Sequence, residues 1–395
     1  MTEVGASRIE WAEGQMPVLR SIRERFFGER PLKGLKVGAC LHVTAETANL
    51  ARTLAAGGAE VAVCAANPLS TQDDVASVLA DEMLVRAAHG TDPAPGQAEI
   101  AAWGPTVTLD DGADLLALLH ETESVPEGFL GATEETTTGV VRARALGLRV
   151  PVLALNDART ERVFNDHYGT GQSTLDGILR ATNILLAGRT VVVLGYGTTG
   201  HGIAARARGA GAQVIVCEVD PLRALEARME GFHVMPAVEA AEVGDVFITV
   251  TGVPQVLGAE HFARMKDGAT LANAGHFDVE IDLPALDAAA SERREVLPLV
   301  EQFLVGDRKL NLLAQGRVVN LAAGQGHPAE IMDISFALHA LAVEWLAREG
   351  AALMPGVHQV PADLDREVAR LKLASLGVGI DTLTGQQSSY QSSWT

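Results

Sequence analysis

Short runs of β-branched and apolar residues alternate with alanine-rich stretches of helical period along almost the whole chain. This alternation predicts parallel strands joined by helices that cover both faces of a sheet, an α/β architecture. Runs at 35–40, 60–64, 106–109 and 150–155 predict the strands of one sheet, each followed by a polar or glycine-bearing loop where ligands usually gather. Runs at 190–194, 213–217, 246–251, 269–273 and 318–321 predict a second sheet. Helical period over 175–186 supplies a connector, and the amphipathic stretch 329–348 predicts a long helix that returns the chain to the first sheet. Gly, Asp and Pro mark 89–96 as a surface loop, and the Ser/Gln-rich end from Gly385 reads as a poorly packed tail or an intersubunit arm.

Composition narrows the function. A chain of 395 residues, 47% of them hydrophobic, can bury the cores of two domains. A formal charge of −19 with no Lys/Arg-rich run excludes a nucleic-acid polymer, because phosphates demand clustered cations. A small molecule fits better. Cys40, Cys64 and Cys217 lie in apolar stretches without paired spacing and predict reduced thiols in a cytoplasmic protein. Neither a signal segment nor a run long enough to span a bilayer is found, so no membrane partner is expected. No metal site is expected either.

The apolar run 190–194 leads into Gly195-Tyr196-Gly197-Thr198-Thr199-Gly200 and then an alanine-rich helix. In this context the first glycine permits a tight turn and the second lets backbone approach a pyrophosphate. The third, Gly200, allows helix and strand to pack closely, with the helix N-terminus toward the phosphates. The next strand ends in Glu218-Val219-Asp220, where Glu218 would bind the ribose hydroxyls of NAD and repel the extra phosphate of NADP.

At this point the chain resembles the S-adenosylhomocysteine hydrolase (adenosylhomocysteinase) family over essentially its whole length. The resemblance is carried by Arg8-Ile9-Glu10-Trp11-Ala12, Leu41-His42-Val43-Thr44, Leu109-Asp110-Asp111-Gly112 and Glu134-Glu135-Thr136-Thr137-Thr138-Gly139. It continues through Asn156-Asp157, Gly195-Tyr196-Gly197, Gly275-His276-Phe277-Asp278 and Gly326-His327-Pro328. It implies two doubly wound domains, with a Rossmann NAD-binding domain (173–326) inserted in a discontinuous substrate-binding domain (1–172, rejoined by 327–355). A C-terminal oligomerisation arm (356–395) and a homotetramer are also implied. The end after Tyr390 looks too short to complete a neighbour's cofactor site.

The chemistry implied is redox-assisted elimination. A nucleoside's 4′ hydrogen is barely acidic until the 3′ carbon is oxidised by NAD to a ketone, after which a protein base removes it and the 5′ group departs. By the resemblance, His42 and Asp111 handle protons near the 4′ and 5′ positions, Glu135 binds sugar hydroxyls and His276 lies near the 3′ oxygen. His327 sits near the base or 5′ end, and Thr44 and Glu46 near the purine. Thr136, Thr137, Thr138, Thr198, Thr199, Thr251, Gly252, Asn273 and Asn320 join the glycines and Glu218 around NAD. Taken singly, such residues are more often helix caps or satisfied core groups.

The chain departs from the family where ordinary members carry a lysine and it has Glu161, and where Asp-Asn becomes Asn165-Asp166. Leu338-His339 replaces a common Asn-Gln pair. A carboxylate in place of a cation reverses the charge where an alcohol must lose its proton. With the proton-handling residues retained, these changes predict a new substrate: a nucleoside 5′-dehydratase that expels water, as in the making of angustmycin-type nucleoside antibiotics. Glu161, Asn165 and Asp166 would then join the catalytic set. The alternatives are a hydrolase of S-adenosylhomocysteine or its inosyl analogue, and an inactive NAD-binding relative.

Overall fold

The computed structural model describes residues 2–121, 125–126 and 128–393. Two sheets organise it. The first holds β1 (Lys36–Leu41), β2 (Glu60–Ala65), β3 (Leu84–Arg86), β4 (Val107–Asp110), β5 (Gly131–Glu134), β6 (Pro151–Ala154) and, from the far end of the chain, β15 (Gly356–Gln359). All seven are parallel, in the order β15-β6-β5-β4-β1-β2-β3. The second sheet holds β7 (Thr190–Leu194), β8 (Gln213–Cys217), β9 (His233–Val234), β10 (Val246–Thr249), β11 (Thr270–Asn273), β12 (Ala290–Leu297), β13 (Val300–Val305) and β14 (Arg308–Leu313). Its order is β12-β13-β14-β11-β10-β7-β8-β9, with β12, β13 and β14 forming an antiparallel edge.

Burial explains the strand sequences. Val191, Val192 and Val193 are all fully buried, as a parallel strand covered on both faces requires. In each sheet the chain order reverses beside the first strand: β1 lies between β4 and β2, and β7 lies between β10 and β8. The loops after β1, β4 and β5 and those after β7, β8 and β10 therefore open at the crevices where doubly wound sheets take ligands.

The chain passes between the sheets through a π-helix, Glu161–Thr170, which runs into the helix Gly171–Thr182. Left-handed Asn183 (φ 51°) stops that helix, so the connector ends earlier than the expected 186. A Cβ on Gly202 would stand 2.0 Å from the His167 carbonyl oxygen, so the crossing segment lies against the helix Thr198–Gly209 at backbone distance. The return runs through the helix Ala329–Glu349, which packs into the first sheet's core through Phe336, Leu338 and Val343.

Several expectations need correction. Residues 318–321 are not a strand: β11 already pairs with β10 and β14, so only Val318 bridges to Asn273 before the short helix Val319–Ala322 begins. The edge β12 to β14 escaped notice because β12 is exposed along nearly its whole length and reads as charged surface. The loop at 89–96 gives way to a helix at Ala94. The boundary at 355 falls just before β15, so the first sheet continues to Gln359 and the helix Ala362–Ser375 packs on Ala329–Glu349. Beyond it the helix Gly385–Ser392 buries nothing.

Fully buried Asp333 ties three helices together: the amides of Val18 (3.3 Å) and Leu19 (2.8 Å) and the Lys372 ammonium (2.8 Å) all donate to its carboxylate. Asp333→Ala leaves that ammonium without its partner, so denaturant unfolding should show a loss of about 3 kcal/mol.

Candidate active site

The facing strand ends enclose a cleft of about 1220 Å³ between the two sheets. From the first sheet it receives His42, Thr44 and Glu46 after β1, Asp111 after β4, Glu135, Thr136, Thr137 and Thr138 after β5, and Asn165 and Asp166 from the crossing helix. From the second come Gly195, Gly197, Thr198, Thr199, Glu218, Thr251, Gly252 and His276, and Asn320 and His327 close one end.

At its centre stands a His-Asp-His group. His42 Nε2 lies 3.1 Å from Asp111 Oδ2, and His276 Nδ1 lies 3.5 Å from Asp111 Oδ1. On the far side, His42 Nδ1 shares a 2.7 Å hydrogen bond with Ser70 Oγ. Burial works to lower the His42 pKa, but the facing Asp111 carboxylate overrides it and holds the imidazole above its ordinary value. Burial likewise works to raise Asp111, and its histidine neighbours, His42 first, outweigh it and bring the carboxyl down to about 2. His276, whose burial is less fully offset, is pushed down. His327 falls to about 4 by burial and so is a neutral imidazole, beside Thr170 Oγ1 at 3.1 Å. Gly112 is left-handed (φ 110°), and a Cβ there would meet His276 Nε2 at 2.8 Å, so the two domains touch at the loop that carries Asp111.

A second group of carboxyls lies beside it. The Asn165 amide donates to both Glu135 Oε1 (3.1 Å) and Glu161 Oε2 (2.7 Å), and Ser335 Oγ donates to Glu135 Oε1 (2.9 Å). Glu161 is buried behind Asn165 and does not line the cleft, and its Oε1 has no hydrogen-bond partner. Burial, then the Glu135 charge, pushes its pKa well up. Asp166 does line the cleft, and burial raises it to about 7, the range useful for proton transfer at neutral pH.

The other end fits a dinucleotide. Gly195 is left-handed (φ 105°), and a Cβ on Gly200 would stand 2.0 Å from the Gly195 carbonyl oxygen, so strand and helix meet with no room for a side chain. Around Gly197, by contrast, the space is open except for Arg223 Nη1 at 3.6 Å, which leaves room for a pyrophosphate at the helix N-terminus. Glu218 stands at the end of β8 with its carboxylate on the Tyr196 amide (2.7 Å). Buried Asn320 Oδ1 has no hydrogen-bond partner and points to a bound polar group.

Not every expected cofactor residue reaches the cleft. Gly200 acts through packing alone, as above. Asn273 is fully buried: its amide donates to the carbonyls of Gly275, Phe277 and Gly316, and its oxygen accepts from Thr249 and Gly275. A strand-end asparagine looked like a ligand contact; it braces the loop that carries His276. Thr251 and Gly252 are held by buried Glu280, whose carboxylate accepts from both amides. The sequence singled out His339 only as a departure from the family and did not reveal Glu280, Ser70 or Ser335, because each acts across a long separation that leaves no local pattern.

Residues 1–127 match the family described as S-adenosyl-L-homocysteine hydrolase, and residues 166–326 match its NAD binding domain. An adenosylhomocysteinase of Aquifex aeolicus is 56% identical over 100% of this chain and 97% of its own. An adenosylhomocysteinase of Gloeobacter violaceus is 53% identical over 99% of this chain and 94% of its own. An S-inosyl-L-homocysteine hydrolase of Methanopyrus kandleri is 53% identical over 99% of this chain and 95% of its own.

These relatives overturn the expectation of a nucleoside 5′-dehydratase in antibiotic synthesis, since full-length relatives this similar are named adenosylhomocysteinase and S-inosyl-L-homocysteine hydrolase. The physical reason lies at Glu161, which is buried off the lining of the cleft, where burial disfavours its charged form, so it does not present a carboxylate to the substrate. The chain uses NAD, is built as two α/β domains with the cofactor domain inserted, and belongs to the S-adenosyl-L-homocysteine hydrolase family.

Proposed function

We propose that the protein cleaves the thioether of an S-(purine nucleosyl)homocysteine, S-adenosylhomocysteine first among them, into nucleoside and homocysteine. The observation that carries this reading is the His42-Asp111-His276 group, set at strand ends in the same cleft as the glycine loop of the NAD domain. NAD, when bound, supplies a reversible two-electron oxidation of the sugar's 3′ carbinol. Glu135 and Asp166 hold the sugar hydroxyls and take the 3′ hydroxyl proton, for which an Asp166 near 7 is well matched. The Asp111 carboxylate, kept ionised by two imidazoles, removes the acidified 4′ proton. Its protonated partner His42 gives a proton to the departing 5′ sulfur, and the same pair in the reverse sense adds water at the 5′ carbon. Thr44 and Glu46 face the purine, and neutral His327 lies at the same end. Thr136, Thr137 and Thr138 with Thr198, Thr199, Thr251, Gly252, Glu218 and Asn320 line the cofactor side.

Glu161 acts through Asn165 as a positioning group. Glu161→Gln, which keeps the shape and one acceptor oxygen, should hold homocysteine release within about 3-fold of the wild type, since the bond to Asn165 is kept. A loss of two orders of magnitude would mean that Glu161 itself moves a proton.

Three buried, unpaired cysteines support a cytoplasmic setting. A homotetramer is supported by Val378, Ile380 and Leu383, apolar side chains that stand exposed on the C-terminal segment. Removing residues 378–393 should lower the particle mass measured by light scattering; an unchanged mass would place the assembly contacts elsewhere.

A further inference from the structure

His339 is fully buried on the helix Ala329–Glu349, and its Nε2 is a buried nitrogen without a hydrogen-bond partner. Such a group costs stability, and a native fold keeps one only for a reason. On its other side, Nδ1 lies 3.2 Å from the hydroxyl of Thr133, a residue of β5 that is fully buried as well. If that hydroxyl donates to Nδ1, the ring proton sits on Nε2. The Nε2 atom faces Glu135 Oε2 at 3.5 Å, just beyond hydrogen-bond reach. One helical turn earlier on the same face, Ser335 already donates to the other oxygen of that carboxylate at 2.9 Å. Both oxygens of Glu135 are therefore addressed by one rigid helix.

We propose that His339 is a positioning residue for Glu135: when substrate seats against the carboxylate, the Nε2 proton of His339 donates to Oε2 and, with Ser335 on Oε1, clamps it at the sugar. The gap to be closed is a few tenths of an ångström, and such contacts are commonly long before substrate binds. Aimed this way, the carboxylate spends none of the substrate's binding energy on its own orientation. The proposal rests on the hydrolase reading for its substrate, though not for its geometry.

The test compares His339→Met, which keeps the bulk and removes the donor, with His339→Gln, which restores an N–H at similar reach, both as NAD-loaded full-length protein. For homocysteine release, His339→Met should lose roughly 10²-fold in kcat with KM within about 3-fold, and His339→Gln should recover to within about 5-fold of the wild type. Equal behaviour of the two variants, or a change in KM alone, overturns the clamp. If His339→Met does not fold, Thr133→Val decides, since it frees the tautomer without touching Glu135; an unchanged kcat there overturns the proposal. Nitrogen-label NMR of the His339 ring with adenosine reads the clamp without turnover: a protonated Nε2 supports it and a protonated Nδ1 with bare Nε2 sinks it. A wild type that releases no thiol from any nucleosyl-homocysteine counts against the hydrolase reading and leaves that NMR result standing.

Discussion

Asp111→Asn is expected to lower homocysteine release by on the order of 10³-fold while the purified protein still carries its NAD. The asparagine fills the same space but can neither accept the 4′ proton nor balance an imidazolium. The pH dependence follows from the same pair. The raised pKa of His42 means that its share of the pair's stability is full below the ordinary 6.5 and is lost as pH rises through its folded value. The depressed pKa of Asp111 means that its share is present above the ordinary 3.8 and is lost as pH falls through about 2. The ion pair is thus complete from about 3.8 to 6.5 and outlasts the upper limit. Without the carboxylate, burial acts on His42 unopposed, so its ring titration followed by proton NMR should move to lower pH in Asp111→Asn. A titration that stays in place would mean that Asp111 does not hold the proton on His42.

Gly200→Ala should give protein with less than about a tenth of the wild-type NAD content, and with it no turnover. The methyl would stand 2.0 Å from a backbone oxygen of Gly195, which no flexible side chain can relieve. The helix Thr198–Gly209 must move away from β7 and take the phosphate-facing amides with it. Gly197→Ala is the contrast, because its nearest neighbour is an arginine tip at 3.6 Å: the fold should survive and only cofactor affinity should fall. Cofactor released on denaturation and counted per chain distinguishes the two, and a Gly200→Ala protein with full cofactor would refute the packing argument.

The parts of this fold that rest on short-range constraints were legible in the chain. A glycine loop between a buried valine strand and an alanine-rich helix is specified within a dozen or so residues, and the structure places it at the head of β7 as expected. His42 and Asp111 follow strands that periodicity predicts, whereas Glu135 follows β5, which no predicted run covers; the roles of all three came from the family resemblance, since each is an ordinary polar residue in its own window. What resisted reading was set by distant partners. Asn273 reads as a cofactor contact in the sequence because nothing nearby reveals that the Gly316 carbonyl consumes its amide. Glu161 reads as a charge in the site because burial, which disfavours that charge, is a tertiary property. One donor that holds Glu135, Ser335, comes from 200 residues away, beyond any local pattern. β15 likewise joins the first sheet from the far end of the chain.

The central claim is thioether cleavage by way of a transiently oxidised sugar, and one measurement addresses it most directly. Purified protein is mixed with S-adenosylhomocysteine, and in parallel with its inosyl analogue, in deuterated water. Free thiol, reduced-nicotinamide absorbance and deuterium at the 4′ carbon of the nucleoside are followed together. Thiol release with a transient rise in reduced cofactor and deuterium at that carbon is the expected result. Thiol release with neither signal, or no release from either compound, would contradict it.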